Sequence, residues 1–173
     1  MKEVPRADKQ KDGYASETDA QVAEMAAMRR MLDLSRHCFS LSIAVCNSPA
    51  LRDHIIARLK ETNPDTLVID IPVDTTDIFE HVQALVKPSD CTALFLTGLE
   101  RIIPSDREVQ PELHSLNASR ERWVAAYPCP LVLWLPEYAA AIFSTHAPDF
   151  WRYRSHRFEF VSEQATVQAG LRD

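Results

Sequence analysis

Glycine is scarce in this 173-residue chain, which contains only Gly13, Gly98 and Gly170. A phosphate loop of the G-x-x-x-x-G-K-[ST] type and a G-x-S-x-G nucleophile elbow both need glycine to turn the backbone tightly. Neither motif occurs, so the sequence excludes an ordinary phosphate loop and a serine hydrolase of that type. Proline is common, with 11 residues, and we expect the turns to depend on Pro, Asn, Asp and Ser.

Spacings that bind metal ions are missing as well. The six histidines form neither an H-x-x-x-H nor an H-E-x-x-H pair, and the four cysteines form no C-x-x-C pair. We therefore predict no metal site. The cysteines are expected to be buried free thiols in a reducing compartment; they are Cys38, Cys46, Cys91 and Cys129.

The charge and hydropathy of the chain restrict its partners and its location. The net charge is -6 and the isoelectric point is about 5.5, so the composition does not favour binding to nucleic acid. The N-terminal segment is charged and lacks the apolar stretch of a secretion signal, and no apolar run approaches the roughly 18 residues that span a membrane. We expect a cytoplasmic protein that contacts neither membrane nor nucleic acid.

Segments with the patterns of strands and helices alternate along the chain. Apolar or alternating runs over residues 39–46, 66–71, 91–97, 131–135 and 157–160 predict five strands, with helical patterns between them. One helical pattern begins at Pro111 and continues to about residue 127. Ser48 followed by Pro49 is typical of a helix start, and Thr75 or Thr76 is expected to cap the next helix.

This order predicts a single α/β domain over residues 16–161, a three-layer sandwich with a mostly parallel sheet of about five strands. The continuously apolar runs L-V-I-D-I, A-L-F-L-T and L-V-L-W-L indicate strands buried on both faces, whereas residues 157–160 alternate as in an edge strand. Residues 16–36 are predicted to form an amphipathic helix that opens with a Ser16–Asp19 capping box and packs on the domain. Residues 1–15 are predicted to be disordered, and residues 162–173 to be a C-terminal tail.

Ligands of open parallel sheets bind beyond the carboxyl ends of the strands, so the residues after each strand are the candidates for a site. The turn after the first strand is too short to wrap a phosphate, and Pro49 supplies no N–H group. The third strand ends in Thr97-Gly98, where a magnesium-holding acid is needed, and Glu100 is at best a displaced carboxylate. We predict no catalytic residue, and a degenerate nucleotide-binding site at Asn47, Ser48, Thr97, Gly98 and Glu100.

The same first turn contains a second chemical pattern. Cys46 and Arg52 have the C-x-x-x-x-x-R spacing of cysteine-dependent phosphatases, in which a low-pKa thiolate attacks an oxyanion held by the Arg and by loop N–H groups. The usual loop glycine and the Ser/Thr after the Arg are absent, and Pro49 lies inside the supposed cradle. A phosphatase-like enzyme is therefore the third hypothesis, after the two that are given at the end of this subsection.

Four segments of the chain resemble one group of proteins. They are A-V-C-N-S-P-A-L-R-D, L-F-L-T-G-L-E, P-C-P-L-V-L-W-L-P-E-Y and A-P-D-F-W-R-Y-R-S-H-R-F-E-F. They are similar to the core of AAA+/STAND-type P-loop ATPase domains. The resemblance is to a bacterial group with a degenerate phosphate loop, which commonly precedes tetratricopeptide-like repeats in signalling or defence proteins. It covers about residues 20–161 and implies a P-loop-NTPase-like fold.

The resemblance also implies where the family's nucleotide-binding residues would fall. The Walker A Lys-Ser/Thr pair would lie within residues 47–50 and the Walker B acids at Thr97 and Gly98, and both are absent. The leading hypothesis is a non-catalytic interaction or regulatory module in bacterial signalling or defence, with a protein partner and no cofactor. The second is an ATP- or GTP-binding protein with weak or no hydrolysis. The identity of the partner and the oligomeric state stay open.

Overall fold

The computed structural model describes residues 17–103 and 110–162. The strands are β1 (Ser40–Cys46), β2 (Thr66–Asp70), β3 (Ala93–Thr97), β4 (Pro130–Leu135) and β5 (His156–Phe160). The helices are α1 (Asp19–Leu34), α2 (Pro49–Thr62), α3 (Ile78–Leu85), α4 (Pro111–Ala118), α5 (Arg120–Ala126), α6 (Glu137–His146) and α7 (Pro148–Arg152). The predicted disordered segment 1–15, Ser16, and the predicted tail from residue 163 onward lie outside the described residues.

The five strands form one parallel sheet in the order β2-β3-β4-β1-β5. In its centre, β1 pairs with β4 from Ser40↔Pro130 to Val45↔Leu135. The strands β1, β3 and β4 are buried along their whole length, as predicted for β3 and β4 from their continuously apolar sequences. The same prediction for L-V-I-D-I is wrong, because β2 is an edge strand of the sheet and its side chains are only alternately buried. The predicted three-layer α/β sandwich is confirmed, and β5 is an edge strand as its alternation indicates.

Each face of the sheet carries its own apolar core. On one face, Met25, Met28 and Met31 of α1 pack with α2 and with side chains such as Trp134 of β4. On the other face, α3 to α7 pack against side chains such as Ile43 of β1. Successive residues of a strand point to opposite faces, so a single buried strand feeds both cores. Among the described helices, none is both long enough and apolar enough to cross a membrane.

Two of the predicted helix caps are wrong. The N-cap of α1 is Thr18, which forms a capping box with Gln21, and the helix begins at Asp19 instead of following Ser16. The N-cap of α3 is Asp77, whose carboxylate accepts a hydrogen bond from the Glu80 amide, in place of Thr75 or Thr76. In both regions several Ser, Thr and Asp residues lie close together in the chain, and each of them is a suitable cap. The one that serves is the residue directly before the first helical residue.

The predicted long helix from Pro111 to residue 127 is two helices. Ser119 ends α4 and begins α5, with a backbone conformation outside the helix. Its hydroxyl donates a hydrogen bond to the carbonyl of Leu116, which satisfies an end group of α4. The ring of Trp123 in α5 is fully buried, in edge contact with Phe79 of α3 at 5.1 Å.

The connections of the sheet create a crevice at its carboxyl edge. The helix that follows β1 lies on one face, and the helix that follows the neighbouring strand β4 lies on the other. The two chain segments therefore separate as they leave the sheet. In open α/β sheets this is the position at which ligands bind.

Candidate functional site

The crevice between β1 and β4 contains a cavity of about 190 Å³. It is lined by the turn between β1 and α2, by Arg52 of α2, by Glu100 and by residues at the end of β4 with Tyr138. Glu100 reaches it because the 3₁₀ turn after β3 (Leu99–Arg101) contacts β4. Of the five predicted site residues, only Asn47 and Glu100 line this cavity.

The turn between β1 and α2 uses its own polar groups to hold itself together. Asn47 Oδ1 accepts a hydrogen bond from the Glu137 amide at 2.8 Å, which ties the end of β1 to the start of α6. Ser48 Oγ accepts from the Leu51 amide at 3.2 Å, and the Arg52 amide donates to the Ser48 carbonyl at 2.9 Å. Pro49 has no N–H group. Ser48 is therefore a helix cap, as predicted, and these groups are not arranged as a cradle for a phosphate.

An ion pair bridges the cavity. The guanidinium of Arg52 lies 3.3 Å from Glu100 Oε1 and also donates to Asp53. The Arg52 and Glu100 side chains are only 15% and 25% exposed, so the pair is largely shielded from solvent. The Tyr138 hydroxyl donates to the Glu100 carbonyl at 3.2 Å and fixes the backbone of the same turn. Sequence reasoning missed this pair, because β4 separates β1 from β3 in the sheet and nothing local in the sequence reveals that order.

Thr97 and Gly98 belong to a second cluster at the outer end of the sheet. The Thr97 hydroxyl donates to Asp70 Oδ1 at 3.0 Å, and Arg101 donates to Asp70 Oδ2 and to the Ile71 carbonyl, each at 2.6 Å. Burial alone raises the pKa of Asp70, but the hydrogen bonds from Arg101 and Thr97 outweigh it and hold that pKa below its ordinary value. This cluster joins β2 to β3 and does not face the cavity.

Gly98 is required by the backbone at this corner. Its φ is +78°, in the left-handed region that favours glycine. A Cβ at this position would clash with the Arg101 guanidinium and with Asp70. Gly98 thus lets the chain turn beneath the ion pair, and its role here is structural.

The geometry around Cys46 does not favour a phosphatase. Burial raises the pKa of Cys46, and the hydrogen bond with Ser48 and the charge of Arg52 offset only part of that rise. The Sγ atom lies 3.3 Å from the Ser48 carbonyl oxygen, to which the thiol donates. Because Arg52 is directed to Glu100 and Asp53, it is not held ready for an oxyanion.

Two polar atoms of the cavity lining are buried without a hydrogen-bond partner among the described residues. They are Glu100 Oε2 and Trp134 Nε1. The Trp134 ring stacks on Phe160, with ring centroids 5.5 Å apart, so its orientation is set by the core. Buried polar groups are normally paired, so these two atoms are exceptions, and both belong to residues that line the cavity.

The described residues contain no group of three or more His, Cys, Asp or Glu side chains placed to hold a metal ion. Comparison of the chain with protein-family models and with curated proteins finds no match. The similarity to the AAA+/STAND-type group therefore rests on the four sequence segments quoted above.

Proposed function

We propose that this chain is a non-catalytic interaction or regulatory module built on a P-loop-NTPase-like core. It would act in the cytoplasm, as part of a bacterial signalling or defence system. The observation that supports this proposal is the Arg52–Glu100 ion pair inside the cavity at the carboxyl edge of the sheet. This edge is where a nucleotide would be expected on such a fold.

The ion pair matters because of what hydrolysis of a nucleotide needs. A P-loop enzyme holds the phosphates with a Lys and with backbone N–H groups, and holds Mg²⁺ with a hydroxyl and an acid. Here the cation and the acid nearest the cavity neutralise one another. The turn amides of Leu51 and Arg52 are engaged within α2. An incoming phosphate would have to break the pair and would meet the Glu100 carboxylate.

The rim of the cavity offers a contact point for a protein partner. Tyr138 is 47% exposed, while its hydroxyl is fixed by the Glu100 carbonyl. A tyrosine held in one orientation contributes contact area at low cost in entropy, and tyrosine is enriched at interface hot spots. We place the partner surface at this rim, with Tyr138 as its anchor.

The first experiment measures nucleotide binding by isothermal titration calorimetry with Mg-ATP and Mg-GTP. We expect no heat of binding at ligand concentrations up to about 500 µM, equivalent to an affinity weaker than about -4.5 kcal/mol. Binding with a Kd below about 100 µM would contradict the proposal and support the second hypothesis.

The second experiment tests the partner surface with the product of the adjacent gene, mixed with this chain and analysed by size-exclusion chromatography and surface plasmon resonance. We expect a complex that Tyr138→Ser weakens at least tenfold. The matched control is Tyr153→Ser, because Tyr153 is 41% exposed but lies before β5, at the opposite end of the sheet. Equal effects of the two substitutions, or the lack of a complex, would count against the proposed surface.

A second candidate function is binding of a nucleotide without hydrolysis. The observation in its favour is that two residues of the cavity lining, Glu100 and Trp134, each keep a buried polar atom without a hydrogen-bond partner among the described residues. If nucleotide binds there, Trp134 fluorescence should change on titration, and Arg52→Met should alter the affinity. A fluorescence signal that is identical with and without nucleotide, together with no heat, would exclude this candidate.

A further inference from the structure

Two cysteines meet at the amino end of the sheet, opposite the cavity. Cys91 lies two residues before β3, after the 3₁₀ turn at Pro88–Asp90, and Cys129 directly precedes β4. The two strands are neighbours, paired from Leu94↔Leu131 onward, so their leading residues are brought together. The two Sγ atoms are 3.0 Å apart, and both thiols are free.

We propose that Cys91 and Cys129 are an oxidation-sensitive thiol pair that closes to an intramolecular disulfide when the protein meets a peroxide. The bond needs an S–S separation of about 2.05 Å, so the sulfur atoms must approach by only about 1 Å. Cys129 is flanked by Pro128 and Pro130, whose rings restrict the backbone on both sides of it. The approach therefore falls mainly to Cys91, which follows a turn.

The surroundings of the two thiols assign them different roles. The hydrogen bond from Cys129 lowers the pKa of Cys91, against the opposing effects of burial and of the Asp90 charge. The same hydrogen bond, together with burial, raises the pKa of Cys129. Both cysteines are buried, but Cys91 is 9% exposed and Cys129 only 1%. Cys91 is thus the thiol that reacts with a small oxidant, and Cys129 is the thiol that resolves the product.

The reaction balances with hydrogen peroxide as the two-electron oxidant. The Cys91 thiolate attacks one peroxide oxygen, the O–O bond breaks, and hydroxide leaves and takes up a proton to give water. Cys91 is then a sulfenic acid. The Cys129 sulfur attacks Cys91 Sγ, the S–O bond breaks, and the departing hydroxide takes up the Cys129 proton. Two thiols and one peroxide give one disulfide and two waters.

The other two cysteines provide internal controls. Cys46 lies at the far end of β1, where its thiol donates to the Ser48 carbonyl. Cys38 is exposed, so the expectation that it is buried is wrong, and no other thiol lies beside it among the described residues. Neither is placed to form this disulfide. Trypsin places the cysteines in distinguishable peptides. Cys91 lies in the expected peptide 61–101, Cys129 in 123–152, and Cys38 and Cys46 together in 37–52.

The test uses the full chain, treated with hydrogen peroxide, quenched with N-ethylmaleimide and digested without reducing agent for mass spectrometry. We expect a species in which peptides 61–101 and 123–152 are linked with a loss of about 2 Da, reversed by dithiothreitol. The disulfide closes a loop between residues 38 positions apart. It should therefore raise the Tm of the oxidised protein by about 10 °C.

Variants and alternative outcomes make the test decisive. Cys38→Ser and Cys46→Ser should leave the linked species unchanged, while Cys129→Ala should remove it and leave Cys91 as a sulfenic acid that dimedone traps. The proposal is overturned if both thiols of the wild-type protein stay open to N-ethylmaleimide after peroxide treatment and unfolding. It is also overturned if the only disulfides found involve Cys38 or join two molecules. The wild-type peptide map suffices even if a variant fails to fold.

Discussion

Replacing Arg52 by Met is the most informative perturbation of the cavity, because Met keeps the aliphatic stem and removes the charge. The Arg52–Glu100 separation of 3.3 Å corresponds to an attraction of about 5 kcal/mol at an effective dielectric constant of about 20. Most of this is offset by the cost of removing both groups from water and ordering them. An exposed ion pair stabilises a protein by about 0.2–1 kcal/mol. Removing one partner of a buried ion pair costs about 3–5 kcal/mol. The burial of the Arg52–Glu100 pair is intermediate between these two cases.

We therefore expect Arg52→Met to lower the free energy of unfolding by about 2 kcal/mol, since it leaves the largely buried Glu100 carboxylate unpaired. Glu100→Gln should cost about 1 kcal/mol, because Arg52 keeps Asp53 and can still donate to the amide. The double variant should cost about 1.5 kcal/mol, so the coupling energy is about 1.5 kcal/mol.

The assay is urea and thermal unfolding of the wild type, the two single variants and the double variant. A loss of about 2 kcal/mol corresponds to a fall in Tm of about 4–8 °C for a chain of this size. Arg36→Met is the matched control, because Arg36, two residues after α1 ends, pairs with Asp33 of α1 in an exposed position. Its removal should change stability by less than about 0.5 kcal/mol.

A coupling energy below about 0.5 kcal/mol would refute this reasoning. It would mean that Arg52 and Glu100 do not stabilise one another in solution and that only Asp53 would hold the guanidinium. The second hypothesis, nucleotide binding without hydrolysis, would then take precedence over the interaction module.

Three further perturbations test the rest of this edge. Gly98→Ala should lower stability by about 2 kcal/mol in urea unfolding, since alanine is strained at positive φ and its Cβ displaces Arg101; an unchanged midpoint would contradict the left-handed corner. Ser48→Ala should cost about 1 kcal/mol through loss of the α2 cap to the Leu51 amide, and Ser48→Asp should recover most of it. Because the pKa of Asp70 is lowered in the folded state, its stabilising effect is complete above its ordinary value near pH 4 and is lost as pH falls through the lowered pKa. Asp70→Asn should therefore lower the Tm at pH 7 and have little effect at about pH 2, and an equal loss at both values would contradict the ion pair.

The fold could be predicted from the sequence because its signals are local. The strands β3 and β4 are almost entirely apolar, and their burial on both faces could be predicted from that composition. The similar run of β2 is at the edge of the sheet, and composition alone does not reveal that position. The start of α2 could also be predicted, since the cap at Ser48 and the proline at its first position are adjacent in the chain. Where several potential caps follow one another, as before α1 and α3, local chemistry does not choose between them.

The site could be predicted only in part, because its pairs depend on strand order. Arg52 and Glu100 are 48 residues apart, and Cys91 and Cys129 are 38 apart. The carboxyl ends of the strands could be named as candidates without knowing which strands are neighbours. It could not be predicted whether Thr97 faces the cavity or the edge strand β2, since that depends on the pairing of β2 with β3.

Two ion pairs connect different segments at the carboxyl edge of the sheet. Arg52 is neutralised by Glu100 at the cavity, and Arg101 is neutralised by Asp70 at the β2 edge. Each pair joins the ends of different strands, so each fixes the relative position of two turns. A site that must accept and release phosphate needs unpaired cations and amides, whereas Arg52 and Arg101 are each engaged by a carboxylate. Tyr138 is an exposed aromatic side chain at this edge, and aromatic residues are enriched in protein interfaces, which supports the proposed partner surface.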